Sequence, residues 1–245
     1  MESRVTIPAL QKMKSDGRKI VGVVAWDYPI AQIADRAGVD LISVGDSVGL
    51  NLWGHATDTE VTVDEMLICC KAVRRGAKRA LVSCDVPFGP VQAGIEAAVG
   101  AATRLAREGG ADMVKVLGDP ELVKAIVRAG IAVFAEFHGE NRPVEKLVEE
   151  AKRLQDAGAS VLDFRHSGPV AGAAVARAVS IPVIGGLGGG PWLDGRVRLA
   201  HTAIGYAAKW IDAGSETYAN TAKLSLDAFR ALIDDVRSGR QIKGG

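Results

Sequence analysis

AGVDLISVGDS, residues 37–47, holds a helix stop, a strand and a polar strand end in eleven letters. Glycine takes the left-handed position after a helix at little cost, so Ala37-Gly38 reads as the end of a helix. The apolar run 40–44 that follows reads as a buried strand. The strand then stops on Gly45, Asp46 and Ser47, an abrupt change from apolar to hydrogen-bonding groups. The same punctuation recurs as GGAD at 109–112, AGIA at 129–132 and DAGAS at 156–160, each time just before another β-like run.

Working outward from these stops, short apolar runs alternate with longer helical patterns. Strands are predicted over 19–25, 40–44, 80–84, 112–117, 131–137, 160–164 and 181–185. Helices are predicted over 29–37, 62–75, 91–108, 121–129, 143–157 and 170–179, with Thr62 capping the second of them. Repeated β-α units with short turns imply parallel strands joined by crossover helices. An eighth strand is expected near 208–211, within VRLAHTAIGYAAKWIDAG at 197–214. The expected fold is a (β/α)₈ TIM barrel, with a doubly wound open sheet as the alternative, since periodicity does not show closure. No linker or composition break is visible, so residues 1–245 are expected to form one barrel domain with a C-terminal helix. That helix, over 217–240, carries Leu224, Leu226, Phe229, Leu232 and Val236 on one face, suited to barrel closure or subunit packing.

Composition narrows the function. The chain has 245 residues, 48% hydrophobic and 24% charged, with 30 Lys and Arg against 29 Asp and Glu. That balance argues against a nucleic-acid surface. Cys69, Cys70 and Cys84 lack metal-ligand spacing and read as buried thiols of a reducing compartment. The N-terminus has no apolar signal core, and no apolar run approaches the roughly 18 residues needed to span a bilayer. A cytoplasmic protein without membrane partners is expected.

In a (β/α)₈ barrel, functional groups collect where strands end. Here those ends carry Trp26-Asp27-Tyr28, Asp46-Ser47, Asp85, Lys115 with Asp119, Glu136 with His138, and Asp163 with Arg165 and His166. Asp119, before Pro120, reads as a helix cap. Asp163 is open to an outward orientation, against a surrounding helix. Asp46 and Asp85 are not placed to cap the helices that follow. Two carboxylates at one mouth repel unless a cation neutralises them or one keeps a proton, which makes them candidate ligands of Mg²⁺ or another divalent metal. Lys115 lies within a strand and needs an anionic partner if it points inward, either Asp85 or a substrate oxygen. The glycine-rich IGGLGGGP at 184–191 is placed to offer backbone N–H groups to an anion, or to be a plain loop.

At these residues the chain resembles ketopantoate hydroxymethyltransferase, a (β/α)₈ family within the phosphoenolpyruvate/pyruvate barrel superfamily. The matching segments are AWDYPIAQIADRAGVDLISVGDSVG, WGHATDTEVTVDEM, AVRRGAKRALVSCDVPFGP, GGADMVKV and IPVIG followed by DGRV. The resemblance implies a Mg²⁺ held by Asp46 and Asp85, with Ser47, Asp85 and Lys115 contacting a 2-oxo acid. It implies an enolate that takes up a one-carbon unit from methylene-tetrahydrofolate, and a large homo-oligomer, up to a decamer. The second half departs from the family. Leu117 stands where the family has a metal-shell Glu, Glu136 where it has a His, and Arg165 where counting back from IPVIG places a catalytic Glu. The loop after the fifth strand is also short, which weakens the expectation of a folate donor.

These replacements read as a re-tooled site. Glu136 is the first candidate base, with His138 second, and a structural pairing of Glu136 with Lys115 or Arg165 is the alternative. Arg165 offers a fork that suits a second acidic group, pointing to a dianion such as oxaloacetate. The expected activity is an aldolase-type hydroxymethyl transfer to a 2-oxo acid. The alternatives are a C–C lyase or hydrolase acting on 2-oxo or phosphonate dianions, and a non-catalytic metabolite-binding homologue.

Overall fold

The computed structural model describes residues 3–212 and 217–244. Eight parallel strands pair in chain order and close into a barrel. They are β1 (Ile20–Val24), β2 (Leu41–Val44), β3 (Leu81–Asp85), β4 (Met113–Leu117), β5 (Val133–His138), β6 (Val161–Arg165), β7 (Val183–Gly185) and β8 (Gly195–Leu199). Helix α1 (Ile7–Ser15) precedes β1. The crossovers are α2 (Tyr28–Ala37), α3 (Val63–Gly76), α4 (Phe88–Gln92), α5 (Ile95–Arg107), α6 (Pro120–Arg128), α7 (Val144–Asp156) and α8 (Pro169–Ala178).

The punctuation read from the sequence is what delimits these elements. Gly38, Gly110, Gly130 and Gly158 all have positive φ, between 78° and 101°, at or just past helix ends. Thr62 and Glu65 form a reciprocal capping box at the start of α3. Asp119 caps α6 by accepting from the Glu121 N–H at 3.0 Å. Two expectations are corrected. The helix expected over 91–108 is two helices, because Gly94 stands at φ 109° between α4 and α5. The eighth strand is GRVRL at 195–199, while 208–210 forms a short 3-10 turn. In β8 Gly195 and Val197 are buried and alternate with exposed Arg196 and Arg198, a period-2 signal that two arginines disguise as loop. Residues 213 and 214, the end of the stretch in which that strand was expected, lie outside the described residues.

Chain contacts divide the molecule into two compact units, the first ending at Arg198 and the second starting at Leu199. The second unit contains α9 (Ala200–Ala203) and α10 (Thr221–Arg237), the latter capped by the Asn220 side chain accepting from the Lys223 N–H. Leu224, Phe229, Leu232 and Val236 of α10 are exposed.

The barrel interior is built in layers by the strand pleat, since residues two apart share a face. Its lower layer is apolar: Ile20, Leu41, Leu81, Met113, Phe134, Val161, Ile184 and Val197 form one buried cluster. Val5 and the α1 residues Leu10 and Met13 belong to the same cluster, so α1 plugs the N-terminal end of the barrel. Each large side chain buried there contributes about 1.5–3 kcal/mol. Two residues further along the same strands the inward positions turn polar. They are Ser43 and Ser83, whose hydroxyls hydrogen-bond at 2.9 Å, then Lys115, Glu136 and Asp163.

Candidate active site

Lys115 is the centre of the barrel mouth. The register sets Asp85 beside Lys115, and Glu136 beside Asp163. The Lys115 ammonium forms an ion pair with Glu136 Oε2 and lies 3.5 Å from both Asp85 Oδ2 and Asp163 Oδ2. Burial acts to lower the Lys115 pKa, but Asp85, Asp163 and Glu136 together overcome it and hold the ammonium well above its usual range.

Glu136 is saturated. Its Oε1 pairs with Arg165 Nη1 and with His138 Nε2, both at 3.0 Å, while Oε2 takes Lys115. Burial alone would raise its pKa; Lys115 and Arg165 reverse that and lower it. The pairing weighed as the alternative for Glu136 is therefore present with both cations at once. Arg165 spends Nη1 on Glu136, and its Nε lies 3.5 Å from Asp163 Oδ2 without hydrogen-bond geometry.

Asp163 points into the mouth, not outward as the sequence left open. Its Oδ1 accepts from the Gly186 N–H at 3.0 Å, at the start of the glycine-rich loop. The acid met by that loop N–H thus belongs to the chain itself. The other glycines there serve close packing: a Cβ at Gly188 would lie 2.8 Å from His166 Cα, and one at Gly190 would lie 2.3 Å from the Trp192 ring. His166 has φ 49° and pairs through Nε2 with Glu140 at 3.2 Å. The His138 and His166 rings lie 6.4 Å apart. Leu117 is 57% exposed at the end of β4 and supplies no polar group.

On the opposite side, Asp46 and Ser47 follow β2. Trp26 Nε1 donates to the Gly45 carbonyl at 2.8 Å and anchors this strand end. A Cβ at residue 45 would lie 3.0 Å from Ser47 Oγ and 3.1 Å from Val24, so glycine permits the tight approach. Burial raises the Asp46 pKa, helped by Asp58 and Glu136 against Lys115. Burial also pushes Asp85 up to about 7, with Asp46 and Glu136 adding to the effect and Lys115 opposing it.

Asp85 Oδ1 is buried with no hydrogen-bond partner. Leaving the histidines aside, four carboxylates at this mouth face two cations. An orphaned acceptor, and carboxylates that outnumber the cations and are pushed up by burial and by neighbouring acids, are donors that suit a hard divalent cation at Asp46 and Asp85. Among the described residues no group of three or more His, Cys, Asp or Glu is arranged to hold a metal. Two carboxylates alone would suit the Mg²⁺ mode, in which one or two carboxylates are completed by water and substrate. No helix among the described residues is long and apolar enough to cross a membrane.

The family model for ketopantoate hydroxymethyltransferase matches residues 4–138 and 136–241. The chain is 37% identical to 3-methyl-2-oxobutanoate hydroxymethyltransferase of Moorella thermoacetica, across 97% of this chain and 95% of the relative. It is 36% identical to the Geobacillus kaustophilus enzyme of the same name, across 92% and 87%. A solved phosphonopyruvate hydrolase, in complex with oxalate and Mg²⁺, superposes with a TM-score of 0.64 at 15% identity, covering 96% of this chain and 88% of the other. That last likeness shows the barrel fold alone. The family match over both halves and the near full-length relatives show that this chain belongs to the ketopantoate hydroxymethyltransferase family, a family of transferases.

Proposed function

We propose that the barrel mouth binds a 2-oxo acid beside a divalent cation, Mg²⁺ or a similar ion, and adds a one-carbon unit to the enolate of that acid. The observation that carries this reading is the orphaned Oδ1 of Asp85, within a mouth whose carboxylates outnumber its cations. Asp46 and Asp85 would hold the cation, which when bound supplies Lewis-acid stabilisation of developing negative charge. Ser47 and Asp85 flank the position of the acid, and Lys115 presents a permanent positive charge toward its oxygens.

Proton removal needs a base with a lone pair free to come within hydrogen-bond reach of the substrate. Glu136 does not meet that need, because three partners hold it ionised and weakly basic. We therefore assign Glu136 as the group that orients His138, and His138 as the proton acceptor, following the rule that a base is itself oriented by a third group. The His138 side chain is 42% exposed, so substrate can reach it.

Arg165 has Nη1 on Glu136 and Nε beside Asp163, and its side chain remains 29% exposed, so the outer edge of its fork can meet a ligand. With a cation held at Asp46 and Asp85 on one side and the Arg165 guanidinium on the other, the mouth would offer a positive group to each end of a ligand with two acidic groups. The acceptor in this reading is a 2-oxo dianion such as oxaloacetate, in place of the branched monoacid named for the relatives. Five residues separate β5 from α7, leaving little chain to cover a folate, so a simpler one-carbon donor such as formaldehyde is favoured over methylene-tetrahydrofolate. The exposed apolar residues of α10 support a homo-oligomer.

The test is α-hydrogen exchange of a panel of 2-oxo acids in D₂O with Mg²⁺. Exchange that turns into carbon–carbon bond formation on adding formaldehyde or a folate donor supports the transferase. Cleavage of a dianion without a donor would replace it with a lyase, and no exchange with any acid would leave a binding protein. In the same assay Arg165→Leu should raise KM for dianions about 10- to 100-fold while monoacids change little, by the loss of a charged pair. Equal losses for both classes would remove the dianion.

A further inference from the structure

We propose that Asp163 is a positioning residue that couples the glycine-rich loop after β7 to the Lys115 and Arg165 cations. A carboxylate buried as deeply as Asp163 must be paired or hydrogen-bonded, and its two oxygens divide that task. Oδ1 takes the Gly186 N–H at 3.0 Å, while Oδ2 lies 3.5 Å from Lys115 Nζ and 3.5 Å from Arg165 Nε. One side chain thus touches the loop on one edge and both cations on the other.

The sheet leaves room for this role. Strand β7 is three residues long, and its pairing with β6 ends where Asp163 sits opposite Ile184. Gly186 lies beyond that ladder, and the Asp163 carboxylate holds it. The coupling continues along the loop, because the Leu187 carbonyl accepts from the His166 N–H at 2.8 Å. Gly188 then packs so closely that a Cβ there would meet His166 Cα at 2.8 Å. His166, at φ 49°, holds a conformation that persists only where its surroundings over-determine it. Asp163 is therefore placed to set the loop and, through it, the His166 backbone beside His138.

On the cation edge Asp163 shares the Lys115 ammonium with Glu136 and Asp85. Without it the ammonium has only those two acids to turn to, and one of them is a proposed metal ligand. The catalytic consequence rests on the reading of Lys115 and Arg165 as substrate contacts; the coupling of loop to cations does not.

Asp163→Asn and Asp163→Ala test the coupling by amide hydrogen exchange across 185–189, together with kcat and KM for the best 2-oxo acid. In Asp163→Ala, Gly186 should exchange about ten-fold faster or more, as expected for a lost charge-assisted hydrogen bond, with β2 and β3 unchanged. Asp163→Asn keeps an oxygen for Gly186, so exchange should stay near wild type. Its kcat should fall about 10- to 100-fold with a smaller change in KM, the mark of misplaced groups. Unchanged Gly186 exchange in Asp163→Ala, or wild-type kcat in Asp163→Asn, would overturn the proposal. If Asp163→Ala does not fold, Asp163→Glu replaces it, and loop protection equal to wild type from the longer, displaced carboxylate would count against the coupling. Should the wild-type protein prove inert toward every 2-oxo acid while Gly186 exchange still follows residue 163, the proposed function falls and the coupling stands.

Discussion

The two ends of the barrel interior are made from the same strands and obey opposite rules. At the closed end Met113, Phe134 and Val161 pack in one dry cluster with Leu10 and Met13 of α1. Two residues later on those strands stand Lys115, Glu136 and Asp163, also buried but held by charge. A two-residue step along a strand is only about 6.6 Å. Across that step the interior changes from groups that stabilise the fold by leaving water to groups that are costly to remove from it. The lesson is that the lower layer stabilises the barrel and keeps the upper layer in place. The two layers should therefore fail differently when damaged.

The largest effect is expected at the mouth. Asp85→Asn should lower turnover of a 2-oxo acid about 10³-fold, the loss of several kcal/mol of Lewis-acid stabilisation. Its melting temperature should not fall, since the change removes a desolvated carboxylate with an unsatisfied oxygen. A large loss of stability with activity per folded molecule intact would reverse the assignment of the two layers. At the closed end Phe134→Ala should cost about 3–5 kcal/mol in chemical denaturation, through lost burial and a cavity. Phe134 also lies 6.0 Å beneath the Lys115 ammonium, so this variant shows how far the lower layer steadies the upper one.

A smaller effect follows from pH. With Asp85 raised to about 7, a divalent cation must displace its proton below that value and finds it ionised above. Metal affinity should fall about ten-fold per pH unit below 7, with about one proton released per ion, and should level off above 8. Calorimetry in buffers of different ionisation enthalpy reads the released proton directly, and none released at pH 6 would contradict the shift. The smallest effect belongs to neither layer. Thr62→Ala removes the capping box of α3 and should cost about 1 kcal/mol without changing kcat.

Much of this architecture was legible in the sequence. Seven strands were readable because helix-stopping glycines precede several of them, and the structure puts Gly38, Gly110, Gly130 and Gly158 at positive φ. Strand β8 was hidden because its outward positions are Arg196 and Arg198, which erase the apolar run. Helix α1 gave little signal of its own, since only Leu10 and Met13 are buried in its nine residues. Within the candidate site, Asp46, Asp85, Glu136 and Arg165 were singled out by their place at strand ends and Lys115 by its charge within a strand, and the structure brings Asp85, Lys115, Glu136 and Arg165 together. The direction of Asp163 was recoverable from the pleat: residues two apart share a face, so placing Arg165 in the mouth requires Asp163 there too. What spacing does not carry is the pairing. That Glu136 would be claimed by Lys115, Arg165 and His138 together depends on the stagger between strands, which only the closed barrel fixes.

Electron paramagnetic resonance of Mn²⁺ titrated into the protein, with and without oxaloacetate, tests the metal site most directly. One ion per chain should lose its free signal, bind more tightly with the acid present, and be released by Asp46→Asn or Asp85→Asn. A wild-type protein that leaves the free Mn²⁺ spectrum unchanged under both conditions would contradict it.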